Sequence, residues 1–290
     1  PVLALATHFI FKQQWRNFFR WEWIVGIVWV LLLLSPMLWG LYTQFDLHPE
    51  KIVNGESNVS GIKFFFWTQS FGRITGENQW KDDSDFFFLW HTSLWAFLPW
   101  SIMLFGGLFT QLWNVFKAPK TIVEYFSLGG FLLPLIALSF SHYKLPHYIF
   151  VTYPLAAILT ANFIVQLVEK KTLQSFFIYL QGIIAFVLAI AAILIPILSF
   201  PHKIWQILAV IMGGVVLFLF FYFKEKPLYR LLIPCVVAAI WVNLEGNLWF
   251  YPQVMQYQAC TQAGYYLKKQ HIPLDKLYIG LGCACAIDMP

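Results

Sequence analysis

The sequence predicts an all-α polytopic membrane protein with about seven transmembrane helices, followed by the start of a soluble α/β domain. Three observations support this class. Asp, Glu, Lys and Arg make up only 11 % of the 290 residues, whereas soluble domains carry roughly 25 %. Hydrophobic residues make up 59 % and aromatic residues 20 %. The apolar residues also lie in long uncharged runs, so this chain cannot cover a water-facing surface, and soluble and disordered classes are excluded.

The uncharged runs define the predicted spans, because a helix needs about 20 apolar residues to cross roughly 30 Å of hydrocarbon. We predict spans at residues 24–44, 86–116, 125–143, 145–168, 173–200, 204–223 and 231–250. With an outer loop at 45–85, they form a membrane region over residues 1–250. The apolar residues 1–11 are interpreted as the end of an earlier helix.

Residues 251–290 are interpreted as the start of a truncated periplasmic domain. Helical character is predicted for 262–270, and Pro273 interrupts it. The run 277–281 is typical of a strand.

Lys and Arg are distributed unequally between the predicted loops. The loops on one side hold ten of them: Lys12, Arg16, Arg20, Lys117, Lys120, Lys170, Lys171, Lys224, Lys226 and Arg230. The short loops on the other side hold only Lys144 and Lys203. Because cytoplasmic loops carry the excess of Lys and Arg, we expect the N-terminal end to be cytoplasmic. The net charge of +5 therefore reflects topology, and no nucleic-acid partner is expected.

The outer loop is both aromatic and charged. Residues 60–71 contain four Phe and one Trp, a composition suited to the lipid headgroup region. Arg73 follows, and its guanidinium could bind a phosphate at that depth; the alternative is a snorkelling anchor. The acidic run 81–85 could coordinate a divalent cation, although it lacks the spacing of a calcium loop and also suits a solvated helix start.

The turn at residues 141–148 (SHYKLPHY) lies between two uncharged spans, so Lys144 is expected at the membrane surface. Pro146 disfavours a continuous helix there. Lys144 supplies a point charge and Tyr148 a hydroxyl, a pair suited to a lipid phosphate. A capping turn with a snorkelling Lys144 is the alternative.

Three further residues are weaker candidates at the outer face. Glu245 is a carboxylate inside a predicted span, which makes it a functional candidate by default. His91 lies near the outer end of its span and suits either a structural hydrogen bond or a general base. His147 and His142 flank a proline with a spacing that is poor for one metal ion, and no metal site is predicted.

Two motifs resemble a known family. Residues 141–153, with the core Lys144-Leu145-Pro146-His147-Tyr148, resemble the Lys-Leu-Pro-x-Tyr turn of bacterial lipid-linked sugar transferases. These are the aminoarabinose (lipid A) transferases and their relatives in the protein O-mannosyltransferase superfamily. Gly72-Arg73, followed by Phe86-Phe87-Phe88 and Leu98-Pro99-Trp100, resembles the family's Arg-containing outer loop and aromatic-to-Pro-Trp helix. The resemblance covers roughly residues 41 to 161.

The resemblance implies a GT-C fold and an enzyme at the outer face of the bacterial inner membrane. It implies transfer of a sugar from a polyprenyl-phosphate donor to a lipid or protein acceptor. Arg73, Lys144 and Tyr148 would hold the departing phosphate. No cofactor is certain, and a divalent metal remains a candidate.

The family's acidic residue lies in a first outer loop that this sequence does not contain, so the catalytic residue is unknown. Because the chain begins with Pro rather than Met, we expect a fragment that is inactive alone. A transporter or flippase of a lipid-linked glycan is the main alternative function, and a non-catalytic scaffold is another.

Overall fold

The computed structural model describes residues 2–53, 55–75, 84–171, 173–200, 203–257 and 259–271. The structure is about 80 % helical, and these ranges contain no strand. The chain forms two compact units, residues 1–166 and 167–290, with helix α8 running through the boundary between them.

The first unit is built from helices of very different length. They are α1 (Val2–Phe11), α2 (Glu22–Leu41), α3 (Gly61–Lys63), α4 (Gly72–Thr75), α5 (Phe88–Ala96), α6 (Ser101–Lys117), α7 (Phe126–Ser139) and α8 (Tyr153–Lys170). Helix α2 continues as a π-helical turn, Tyr42–Asp46, and a 3₁₀ helix, Pro146–Thr152, leads into α8.

The second unit begins with three long helices and ends with two shorter ones. They are α9 (Gln174–Ser199), α10 (Lys203–Tyr222), α11 (Pro227–Glu245), α12 (Tyr251–Met255) and α13 (Ala259–Lys269). A π-helical stretch, Gly246–Phe250, joins α11 to α12. Helices α9, α10 and α11 pack against one another.

Four helical segments of the described chain are long and apolar enough to cross a membrane: Glu22–Asp46, Pro146–Lys170, Gln174–Ser199 and Pro227–Met255. Shorter apolar helical stretches occur at Val2–Phe11, Phe126–Ser139 and Ile211–Tyr222. The structure is thus consistent with a multi-pass membrane protein, and four of the seven predicted spans meet the length and composition of a crossing helix.

The core of the first unit lies between α5, α6, α7 and α8. Its buried residues are Leu89, Leu104, Leu108, Leu128, Phe131, Leu135, Ile149, Ala156 and Leu159. A Cβ atom on Gly107 would lie 2.7 Å from the carbonyl oxygen of Leu159. Helices α6 and α8 therefore approach this closely because Gly107 has no side chain, as in membrane helix pairs with small residues at the contact.

Helix α1 packs against α7 through small residues on both helices. A Cβ atom on Gly129 would lie 2.2 Å from Thr7 Oγ1, and one on Gly130 would lie 2.6 Å from Ala4 Cβ. Next to this contact, Lys12 Nζ donates a hydrogen bond to the Ile122 carbonyl at 2.5 Å. The first residues are thus a packed helix of this unit.

The predicted span 86–116 is wrong as a single helix. The structure divides it into α5 and α6, which are separated by residues 97–100. Pro99 has no N–H and disfavours helical backbone at Leu98, which explains the break. Ser101 starts α6, and its hydroxyl donates a short hydrogen bond back to the Leu94 carbonyl.

The predicted outer loop 45–85 contains a helix. Residues 61–75, which we call the loop helix, are α3, a π-helical stretch (Phe64–Phe71) and α4. Asp46 and Ser60 cap its start: Ser60 Oγ donates to Asp46 Oδ1 at 2.5 Å, and the Gly61 N–H donates to Asp46 Oδ2 at 3.0 Å. The Ser60 hydroxyl also accepts the Lys63 N–H, so polar groups at its N-terminus fix where the helix begins.

The last predicted span is longer than expected, because continuous helix runs from Pro227 to Met255 rather than over 231–250. Helix α13 agrees with the helical character predicted for 262–270. The predicted strand at 277–281 lies outside the described residues.

Candidate phosphate site at the Lys144 turn

The turn that carries Lys144 is held by its own polar groups. Helix α7 ends at Ser139, and Ser141 Oγ donates to the Tyr143 carbonyl at 2.9 Å. Leu145 has extended backbone (φ −118, ψ 146), the conformation favoured before a proline. Pro146 then starts the 3₁₀ helix, where the missing N–H of a proline leaves no helical hydrogen bond unmade.

Lys144 is buried, with only 6 % of its surface exposed. Its Nζ donates to the Ser84 carbonyl at 2.8 Å, the Asp85 carbonyl at 3.1 Å and Ser84 Oγ at 3.3 Å. An ammonium group has three N–H donors, and all three of these oxygens are acceptors within hydrogen-bond distance of it. Hydrogen bonding of this kind is what makes a buried cation tolerable.

Lys144 therefore joins two distant parts of the chain: the turn after α7 and the segment immediately before α5. An aromatic contact supports the same junction, because the rings of Phe86 and Phe140 meet edge to face at 5.1 Å between centroids. The ammonium group of Lys144 is thus held by oxygens of the segment immediately before α5.

Tyr148 and His147 lie on the 3₁₀ helix that follows the turn. The Tyr148 N–H donates to the Leu145 carbonyl at 3.1 Å, which places this residue one turn from Lys144. The His147 and Tyr148 rings meet edge to face at 4.9 Å. His147 is exposed and Tyr148 half-buried, so both side chains lie at the surface of the first unit.

Arg73 lies in α4, at the C-terminal end of the loop helix. Its side chain lies outside the described part of the structure, as do Asp82 and Asp83, so its role as a phosphate ligand stays a prediction. Along the chain, the loop helix that carries Arg73 precedes the Ser84–Asp85 segment on which Lys144 is bound.

The two remaining candidates are His91, in the first unit, and Glu245, in the second. His91 is exposed on α5, with its ring edge-to-face on Phe88 at 5.4 Å. Glu245 belongs to the second unit, is only 4 % exposed and lines a cavity between α9 and α11. Within the first unit, His91 is not among the hydrogen-bond partners of Lys144.

Within the described ranges, no group of three or more His, Cys, Asp or Glu side chains is close enough to hold a metal ion. The acidic run suggested for a divalent cation falls partly on Asp82 and Asp83, which lie outside those ranges. The divalent metal therefore stays a prediction.

The partners of Lys144 were not predicted from the sequence. Two of them are backbone carbonyls, which every residue possesses, and they lie 59 and 60 positions away in the chain. The available signal was indirect: a lone Lys in a short turn between two apolar spans needs buried acceptors if it does not reach water.

No protein-family model matches the chain, and no curated protein and no solved structure is significantly similar to it.

Proposed function

We propose that this chain is part of a membrane glycosyltransferase that moves a sugar from a polyprenyl-phosphate donor to a lipid or protein acceptor. The proposal includes a GT-C fold and a site at the outer face of the bacterial inner membrane, with the N-terminal end cytoplasmic. The observation that carries it is the buried ammonium group of Lys144, held by Ser84 and Asp85 in a turn between apolar helices.

The chemistry of such a transfer explains why a fixed cation is useful. As the acceptor attacks the anomeric carbon, the bond to the lipid phosphate breaks and negative charge grows on the phosphate oxygens. A cation that is already in place stabilises this charge more than it stabilises the bound donor, and it does so without reorganisation. A partly dry environment strengthens the interaction further.

The loop helix supplies a surface suited to the lipid part of the donor. Phe65, Phe66 and Trp67 are exposed on it, and exposed aromatic side chains on a helix suit the headgroup region. The apolar helices beside it would accommodate the prenyl chain. In this arrangement Arg73 and Lys144 bind the phosphate, and the Tyr148 hydroxyl donates a further hydrogen bond to it.

The direct test is sugar transfer by the full-length protein from a polyprenyl-phosphate donor in proteoliposomes. We expect Arg73→Ala and Lys144→Ala each to lower the rate by about one to three orders of magnitude, as when one donor to a developing oxyanion is removed. The matched control is Lys63→Ala, an exposed Lys on the loop helix. Full activity in both test variants would contradict the proposed phosphate site.

Transport of a lipid-linked glycan is the second candidate, and Glu245 is the observation that favours it. A buried carboxylate in a spanning helix is typical of transport pathways. Movement of a labelled lipid-linked glycan across proteoliposomes, without transfer of its sugar and sensitive to Glu245→Gln, would favour the transporter.

A further inference from the structure

The second unit contains a pocket with one buried carboxylate. Its volume is about 300 Å³, and α9 and α11 line it together with the π-helical stretch Gly246–Phe250. Glu245 is 4 % exposed, and its Oε1 atom is buried with no hydrogen-bond partner among the described residues. Burying a carboxylate oxygen without a hydrogen bond costs free energy, so a ligand with hydrogen-bond donors would be stabilised at this position.

The pocket lining also supplies neutral oxygen acceptors. The side-chain amide nitrogens of Asn243 and Asn247 donate to helix carbonyls one turn earlier, at 2.9 and 2.8 Å. Each amide therefore keeps its Oδ1 atom as an acceptor. Pro196, on the opposite wall, has no N–H and cannot donate to the carbonyl of Ala192, which also lines the pocket.

The distance along α9 from its first residue to the pocket is close to the thickness of the hydrocarbon layer. Pro196 lies 22 residues after Gln174, or about 33 Å along a helix, which is about one hydrocarbon thickness. Lys170 and Lys171 precede the start of α9, and α9 contains no charged residue. If Gln174 lies at one interface, the pocket lies at the headgroup level of the other.

We propose that this pocket binds a primary ammonium group, with Glu245 as its counter-ion and the neutral oxygens as further acceptors. A primary ammonium offers three N–H donors and one positive charge, which one carboxylate balances. Calcium sites use about six to eight oxygen ligands, including several carboxylates. The carrier of the ammonium is either an aminophospholipid headgroup or a soluble amine. The inference is independent of sugar transfer and of the Lys144 turn.

The test uses the full-length protein in nanodiscs with equal amounts of phosphatidylethanolamine and phosphatidylcholine, followed by native mass spectrometry of retained lipid. These headgroups differ in that the trimethylammonium of phosphatidylcholine has no N–H donor. We expect about a tenfold preference for phosphatidylethanolamine, the size expected of one charge-assisted hydrogen bond. Glu245→Gln should bring retention of the two lipids to near parity. The control Glu225→Gln, at an exposed position outside the pocket, should keep the preference.

A second pocket variant and a competition experiment complete the test. Ala192→Leu fills the pocket from its α9 wall without changing the carboxylate and should also abolish the preference, which covers the case in which Glu245→Gln fails to fold. Competition with ethanolamine shows which molecule carries the bound ammonium group. If ethanolamine displaces the retained phosphatidylethanolamine, the lipid headgroup and the soluble amine bind at the same site. Glu245-dependent binding of ethanolamine without lipid preference indicates a soluble amine. The inference would be overturned if the protein neither prefers phosphatidylethanolamine nor binds ethanolamine. It would also be overturned if the preference for phosphatidylethanolamine persisted in both Glu245→Gln and Ala192→Leu.

Discussion

Lys144 Nζ donates a hydrogen bond to the backbone carbonyl of Ser84 at 2.8 Å, across 60 positions of the chain. This bond ties the turn after α7 to the end of the long loop that carries Arg73. The cation holds the loop end in place, and in the proposed function a phosphate would bind to it by replacing some of these oxygens.

Removing the ammonium group should loosen the loop end. In Lys144→Met the oxygens of Ser84 and Asp85 lose their donor, and hydrogen bonds to charged groups contribute about 1.5–3 kcal/mol each. We expect faster hydrogen–deuterium exchange at the start of α5, measured by mass spectrometry. The control Lys63→Met should leave exchange there unchanged, and equal exchange in the two variants would show that Lys144 does not hold the segment.

The contact between α1 and α7 should not tolerate a methyl group. In Gly129→Ala the new Cβ would overlap Thr7, and overpacking typically costs about 1–3 kcal/mol. The midpoint of unfolding in a denaturing-detergent titration should therefore fall. Gly26→Ala on α2 is the matched control, because a Cβ atom there meets nothing within 4 Å. It should unfold no earlier than the unmodified protein, and a control that falls as far as the test variant would disprove the contact.

The start of the loop helix should depend on Asp46. Replacement by Ala removes the acceptor of the Ser60 hydroxyl and of the Gly61 N–H, and loss of a helix cap costs about 0.5–2 kcal/mol. Amide exchange over residues 61–64 should increase. Glu50→Ala, at an exposed position in the same loop, should not change it. Unchanged exchange in Asp46→Ala would mean that the helix is held by its packing alone.

Much of the helical framework could be predicted from uncharged runs. The segments that the structure gives as Glu22–Asp46 and Gln174–Ser199 agree closely with the predicted spans 24–44 and 173–200. The absence of charge over residues 86–116 predicts one long helix, whereas the break between α5 and α6 follows from the backbone restriction of Pro99, which the pattern of charges does not report. The loop helix was missed since its cap depends on Asp46, which lies 15 positions before Gly61.

The candidate site was predicted less completely than the framework. The uncharged flanking runs predict a turn at Lys144, and the structure confirms the turn, but two of the acceptors of Lys144 are backbone carbonyls, which have no sequence signature. Burial of Glu245 depends on the packing of α9 against α11, which no local pattern reveals. The phosphate role of Arg73, Lys144 and Tyr148 stays a prediction.

The Tyr148 hydroxyl should contribute to binding of the polyprenyl-phosphate donor. Tyr148→Phe keeps the ring against His147 and removes one neutral hydrogen bond, which typically contributes about 0.5–1.5 kcal/mol. We expect the KM for the polyprenyl-phosphate donor to rise about two- to tenfold. Tyr42→Phe, at a partly exposed position on the π-helical turn after α2, is the control and should leave KM unchanged. No change in Tyr148→Phe would remove this hydroxyl from the phosphate site.

A fixed cationic site that binds the phosphate of a lipid carrier should distinguish two ligands that differ only in that phosphate. The Kd values of polyprenyl phosphate and of the matching polyprenol are measured for the full-length protein in nanodiscs. We predict that the phosphate binds at least about tenfold more tightly, as expected for a charge-assisted contact. This preference should disappear when Arg73 and Lys144 are both replaced by Ala. Equal affinity for the two ligands in the unmodified protein would show that the protein has no such phosphate site.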